Sequence, residues 1–268
     1  SVATEVVFGR PVWVRPLDAL MNVGTWHFSL VHLGATLAAF SAPVLMGFTV
    51  APGPARAMLI ALALQLAFGP ASAVGTGFLS DRFALYIAAI WALALRPGPL
   101  APARARFAAI LPLAAFVALG LHLWRIEAFR REDRGFDAIL AAVRPGERVL
   151  NLAFDKWSHA IPMENHYIHW AHWLQSERGA FVDFNFAYFP PQVVRFRLDR
   201  IPPVRDAQGW SPQLFDWTSW DGARYDLFLT RGTQEQKQQF LLSRSPCALD
   251  VAAQVGEWTL YRKGACPR

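Results

Sequence analysis

Residues 247–266, close to the C-terminus, read CALDVAAQVGEWTLYRKGAC. Gly256–Glu257 supplies a two-residue turn with glycine in the first central position, as a type II′ hairpin prefers. Folding the chain about that turn opposes Val255 to Trp258, Ala253 to Leu260 and Val251 to Arg262. Carried outward, the same register opposes Cys247 to Cys266, the two cysteines of the chain. One face of the hairpin then holds Leu249, Val251, Val255, Trp258 and Leu260, and the other holds Asp250, Gln254, Thr259 and Lys263. A cross-strand disulfide follows from this register, with two buried free thiols as the alternative. Disulfides persist in oxidising compartments, so the hairpin also bears on where this part of the chain resides.

Upstream of the hairpin, helix and strand patterns alternate. Phe136–Val143 reads as a helix and Arg148–Phe154 as a strand. Glu164–Glu177 reads as a helix stopped by Gly179, and Ala180–Phe184 as a strand. Tyr225–Thr230 is again a strand and Thr233–Leu242 a helix, while Asn185–Arg224 is rich in Pro and Trp and mostly irregular. The alternation predicts a small α/β domain over 125–268 that ends in a β-hairpin. No Gly-rich phosphate loop follows any of these strands, which disfavours nucleotide binding.

The other half of the chain has a different composition. Residues 1–124 hold seven basic and three acidic residues, whereas 125–268 hold nineteen and seventeen. The break near Arg125 marks a domain boundary. Ser29–Ala55 and Ala57–Ser80 carry no charge, Phe107–Trp124 carries none, and Phe83–Leu95 is a shorter apolar run. A membrane helix needs about 20 apolar residues. The reading is therefore an α-helical membrane bundle of about four transmembrane helices, near 29–50, 57–77, 82–95 and 107–124, followed by the α/β domain. A buried soluble helical core is the alternative. Positive charge flanking the helices does not fix the orientation. The disulfide argument places 125–268 outside the cytoplasm, giving a multi-pass protein of the inner (cytoplasmic) membrane with its C-terminal domain in the periplasm. The chain opens on Ser1 with no signal-peptide pattern, so an upstream part of the same polypeptide is expected to be missing.

Composition excludes disorder, since 54% of residues are hydrophobic and that much apolar side chain must be buried. The net charge of +6 comes from scattered Arg without a basic block. It points to membrane lipid headgroups and away from nucleic acid.

Four of the seven histidines lie between 159 and 172: His159, His166, His169 and His172. On a helix the last three share an arc of about 120°. The i, i+3 pair His166 and His169 has the spacing to share a metal, but HExxH is absent, and a packing or hydrogen-bonding face is the other reading. Together with the Trp-rich composition these histidines are candidates to contact a sugar or phosphate. Asp81 and Arg82, at the start of the third apolar helix, are candidates for the same ligand, with a helix cap and a headgroup contact as the alternative. No catalytic motif is specific.

Ser80-Asp-Arg-Phe-Ala-Leu-Tyr86, Glu177-Arg-Gly-Ala-Phe-Val182, Tyr188–Arg197 and Val255-Gly-Glu-Trp-Thr-Leu-Tyr-Arg262 together resemble the C-terminal portion of bacterial GT-C-type polytopic membrane glycosyltransferases, over roughly 80–268. The resemblance implies an enzyme that takes a sugar from a polyprenyl-phosphate carrier. It implies a catalytic carboxylate in an early outer loop that this chain lacks, so no catalytic residue carries over. The alternative function is a non-catalytic membrane protein whose outer domain binds a ligand or partner.

Overall fold

The computed structural model describes residues 11, 13–22, 29–70, 83–84, 86–98, 102–161, 165–183 and 210–267. The chain divides into two compact units, Ser1–Arg125 and Ile126–Arg268.

In the first unit, α1 (Arg15–Asn22), α2 (Leu30–Leu45), α3 (Pro54–Phe68) and α4 (Ile87–Ala94) are joined by a two-stranded ribbon, β1 (Thr49–Val50) and β2 (Leu95–Arg96). A 3₁₀ segment, Pro102–Ala109, leads into α5 (Ile110–Glu132). Ala19, Leu62, Leu66 and Ala84 form a small core. Arg15 donates from Nη1 to the carbonyls of Ala67 and Gly69, at the C-terminal end of α3, where unsatisfied carbonyls favour a cation.

The described residues of this unit do not hold the four expected membrane-spanning helices. Among the described residues one helix, Arg106–Glu132, is long and apolar enough to cross a membrane. At 1.5 Å per residue α2, α3 and α4 reach about 24, 22 and 12 Å, short of the roughly 30 Å of a hydrocarbon core. The uncharged runs are cut by backbone chemistry. Gly47 takes a left-handed φ of +89° and ends α2, and the ribbon β1–β2 follows directly. Gly98 packs so closely on the Gly47 carbonyl that a Cβ would lie 2.4 Å from its oxygen. Gly69 and Pro70 end α3. Residues 71–77 of the expected second span lie outside the described residues. So do Asp81 and Arg82.

The second unit is a five-stranded mixed sheet in the order β4 (Phe181–Val182), β3 (Arg148–Ala153), β5 (Leu227–Arg231), β7 (Trp258–Lys263), β6 (Leu249–Val255). Strands β4, β3 and β5 are parallel, and β5, β7 and β6 are antiparallel. Strands β3 and β5 are near-continuous apolar runs because both faces are covered. Val149, Leu227, Leu229, Trp258 and Leu260 face a core with α6 (Phe136–Ala141) and α7 (His172–Arg178). Leu150, Leu152, Phe228 and Tyr261 face a second core with Phe215, Tyr225 and Leu241. Helix α8 (Gln234–Phe240) follows β5 and starts on a capping box, Thr233 with Gln236.

In the hairpin, Gly256 takes φ +54° at the turn. Val255 pairs with Trp258 and Ala253 with Leu260, and then an irregularity between Val251 and Ala253 shifts the register by one. Val251 therefore faces Tyr261, not Arg262 as the uninterrupted register has it. Strand β7 lies inside the sheet, so its expected polar face is buried too. Thr259 is covered and accepts a hydrogen bond at Oγ1 from the buried Lys237 Nζ, at 3.0 Å. The backbone of Ala248 bonds to Ala265 beyond the shift, and the sulfurs of Cys247 and Cys266 are at bonding distance.

Removing this cross-link releases the ends of an edge hairpin. Cys247→Ser/Cys266→Ser is expected to lose about 3 kcal/mol of stability, measured by chemical denaturation of the second unit's fluorescence. Intact mass under non-reducing conditions is expected two hydrogens below the fully reduced value.

Candidate functional site

The chain leaves β3, crosses by α7 to β4 on one side, and returns to β5 on the other side of β3. In open α/β sheets such a reversal leaves a crevice at the carboxyl ends of the strands, where ligands usually bind. Here that position is filled by the protein itself. Arg231, the last residue of β5, has a side chain only 3% exposed. Its Nη2 pairs with Glu132 Oε1 at 3.1 Å and Glu257 Oε2 at 2.6 Å, and its Nη1 with Asp155 Oδ2 at 3.0 Å. Nη1 also donates to the carbonyls of Asp155 and Trp157. The guanidinium carbon lies 3.9 Å from the Tyr167 ring centroid, a cation–π contact.

Glu132 is the last residue of α5. Its carboxylate accepts from Ser158 Oγ at 2.7 Å and from the backbone N–H groups of His159 and Ala160, both at 3.1 Å. The segment following β3 is thus wrapped around the end of the long helix. Phe129, one turn earlier, packs edge-on against His166 and Trp170 and stacks on Tyr167. Asp133 accepts from Trp258 Nε1 at 3.3 Å, while its Oδ2 is buried with no hydrogen-bond partner among the described residues. Burial pushes the Asp133 carboxyl up to about 6, against the opposing effect of that indole hydrogen bond. Burial, reinforced by the Asp133 and Glu132 carboxylates, also raises the Tyr167 phenol.

The sequence puts His166, His169 and His172 on one helix over Glu164–Glu177. The structure divides that stretch. Asn165 is left-handed, His166–His169 is a 3₁₀ turn, and α7 begins at His172. His166 is turned into the aromatic core, with burial lowering its pKa. His169 lies 5.7 Å from the His172 ring and 6.2 Å from Trp210. Burial, with His172 beside it, lowers His169 to about 4. His172 Nδ1 is engaged with the His169 carbonyl at 2.9 Å. Among the described residues, the group whose ligand atoms converge within 4.8 Å is instead Asp155, His159 and Glu257. Two of these three are already ion-paired to Arg231.

Exposed aromatics gather near the carboxyl end of β3. Trp157 and Trp210 are 49% and 44% exposed, and Trp173, in α7, is 48% exposed. Lys156 Nζ donates to the Trp210 carbonyl at 2.8 Å, and Trp173 packs on Trp170. Half-buried His169 lies between Trp210 and His172, and exposed His159 follows Trp157 by two residues.

Sequence reasoning missed Arg231, Glu132, Asp155 and Glu257. Arg231 had a signal, a cation closing the buried run Leu227–Thr230. Glu132 had none, since it sits among Glu127, Arg130, Arg131 and Asp133. Comparison with known protein families, with curated proteins and with solved structures finds no match.

With its folded pKa raised, Asp133 holds more protons folded than unfolded between about pH 4 and 6. Its contribution to stability is greatest at low pH and is lost as pH rises through 6. Asp133→Asn keeps an acceptor for Trp258 and is expected to exceed the parent at pH 8 by about 1 kcal/mol, solvent screening having reduced the cost of the half-exposed charge. The two should converge near pH 4. Denaturation midpoints at pH 4.5 and 8 check this.

Proposed function

We propose that this chain is a membrane-anchored protein of the cell envelope whose α/β domain binds a sugar-bearing ligand on the non-cytoplasmic side. The observation that carries the reading is the pair of exposed indoles Trp157 and Trp210, linked by the Lys156 hydrogen bond to the Trp210 carbonyl and flanked by His169. Exposed indole faces stack on the C–H faces of sugar rings, and imidazoles and Lys156 supply donors and acceptors for hydroxyl groups. Helix α5 supports the anchor: it contains an apolar stretch long enough to cross a membrane, and almost none of that stretch is covered by protein. The joined cysteines support an oxidising compartment, and with it a periplasmic side for the domain in a bacterial source.

The binding reading is preferred to sugar transfer because Glu132, Asp155 and Glu257 are committed to Arg231, and Asp133 is held by Trp258 with its other oxygen buried away from any acceptor. A general base needs a carboxylate free to take a proton from the acceptor. A polyprenyl-phosphate-linked sugar remains a ligand of fitting chemistry, with its isoprenoid in the bilayer and its sugar at the domain.

The test uses the full chain in lipid nanodiscs, titrated with a short-chain polyprenyl-pyrophosphate sugar while tryptophan fluorescence is followed. Saturable quenching is expected, with affinity at least tenfold weaker in Trp157→Ala/Trp210→Ala at an unchanged melting midpoint. Quenching that survives both substitutions contradicts the reading. Release of the carrier phosphate with a sugar acceptor present would replace binding by transfer.

A further inference from the structure

The first unit holds a histidine that nothing above uses. His32, in the first turn of α2, is 3% exposed, and both ring nitrogens are buried with no hydrogen-bond partner among the described residues. Its ring stands edge-on to His122 of α5, with centroids 5.1 Å apart. Among the described residues, the charged and titratable groups acting on it are Arg125 and His122. A buried imidazole without a partner is a polar group awaiting one.

Three features converge there. The N-terminus of α2 is capped by Ser29, whose Oγ accepts from the His32 backbone N–H at 3.4 Å. This 16-residue helix presents first-turn amides and the positive end of its dipole. His32 and His122 each offer a ring N–H. Arg125 adds a permanent charge and a guanidinium suited to oxyanions. A metal ion at the two imidazoles would face Arg125, so electrostatics select an anion. Arg125 is also the first charged residue after the apolar run 107–124, at the depth where a helix in a bilayer meets headgroups.

The geometry points to a phosphate-binding site formed by the α2 N-terminus, His32, His122 and Arg125. The group it takes is a phosphate monoester or diester, carried by a lipid headgroup or free in solution. The site does not depend on the aromatic surface of the second unit, and either assignment can fail without the other.

Calorimetry on the full chain in non-ionic detergent, with inorganic phosphate and separately with dihexanoyl phosphatidate, tests it. Saturable binding of at least one probe is expected, weakened at least tenfold by Arg125→Gln and by His122→Leu. Binding of phosphatidate alone assigns a lipid headgroup, and binding of both assigns the phosphate group itself. His32→Leu is expected to abolish binding while leaving the melting midpoint level or higher, because it removes an unpartnered polar group; a merely structural histidine would lower it. Should His32→Leu not fold, the half-exposed Arg125 and His122 variants decide. No saturable heat with either probe overturns the site, as do affinities unchanged in the Arg125 and His122 variants.

Discussion

A guanidinium buried as deeply as Arg231 has to be paired, and the rest of the α/β unit is arranged to pair it. Five segments distant in sequence meet on this side chain: the end of α5 through Glu132, the segment after β3 through Asp155 and Trp157, the 3₁₀ turn through Tyr167, β5 itself, and the β6–β7 turn through Glu257. Losing one partner of a buried pair typically costs about 3–5 kcal/mol, because the other charge is stranded. The pair is therefore better described as specifying the arrangement than as adding stability. It decides which helix end closes the crevice at the strand termini.

That closure connects the two chemistries of the chain. Helix α5 begins as an uncovered apolar helix and ends as a ligand of the sheet. Where many open α/β sheets hold a substrate, this one holds its own carboxylate.

Local chemistry made the hairpin and the strands β3, β4 and β5 legible. Gly256 set the turn, and alternating or continuous apolar runs set the strands. The shift between Val251 and Ala253 left no trace in the sequence, because an extra residue among small and apolar ones does not disturb the alternation. The uncharged runs misled for a different reason. Absence of charge says that a segment is apolar, not that it is one helix, and Gly47, Gly53, Gly69 and Pro70 divide these runs below spanning length. In 166–172 the helical spacing was real but the left-handed Asn165 and the 3₁₀ turn changed which histidines meet. Arg231 and Glu132 were illegible as a pair because 99 residues separate them. Nothing short of the tertiary fold brings them together.

Glu132 on Arg231 locks the end of α5 into the sheet. Hydrogen exchange of the full chain in detergent, resolved by mass spectrometry, measures this directly. Amides of 126–133 should exchange about as slowly as those of β5, and Glu132→Ala should speed exchange over 126–133 and 155–160 together. Rapid exchange of 126–133 in the parent protein, with β3 and β5 still protected, would show that Glu132 does not lock the helix end.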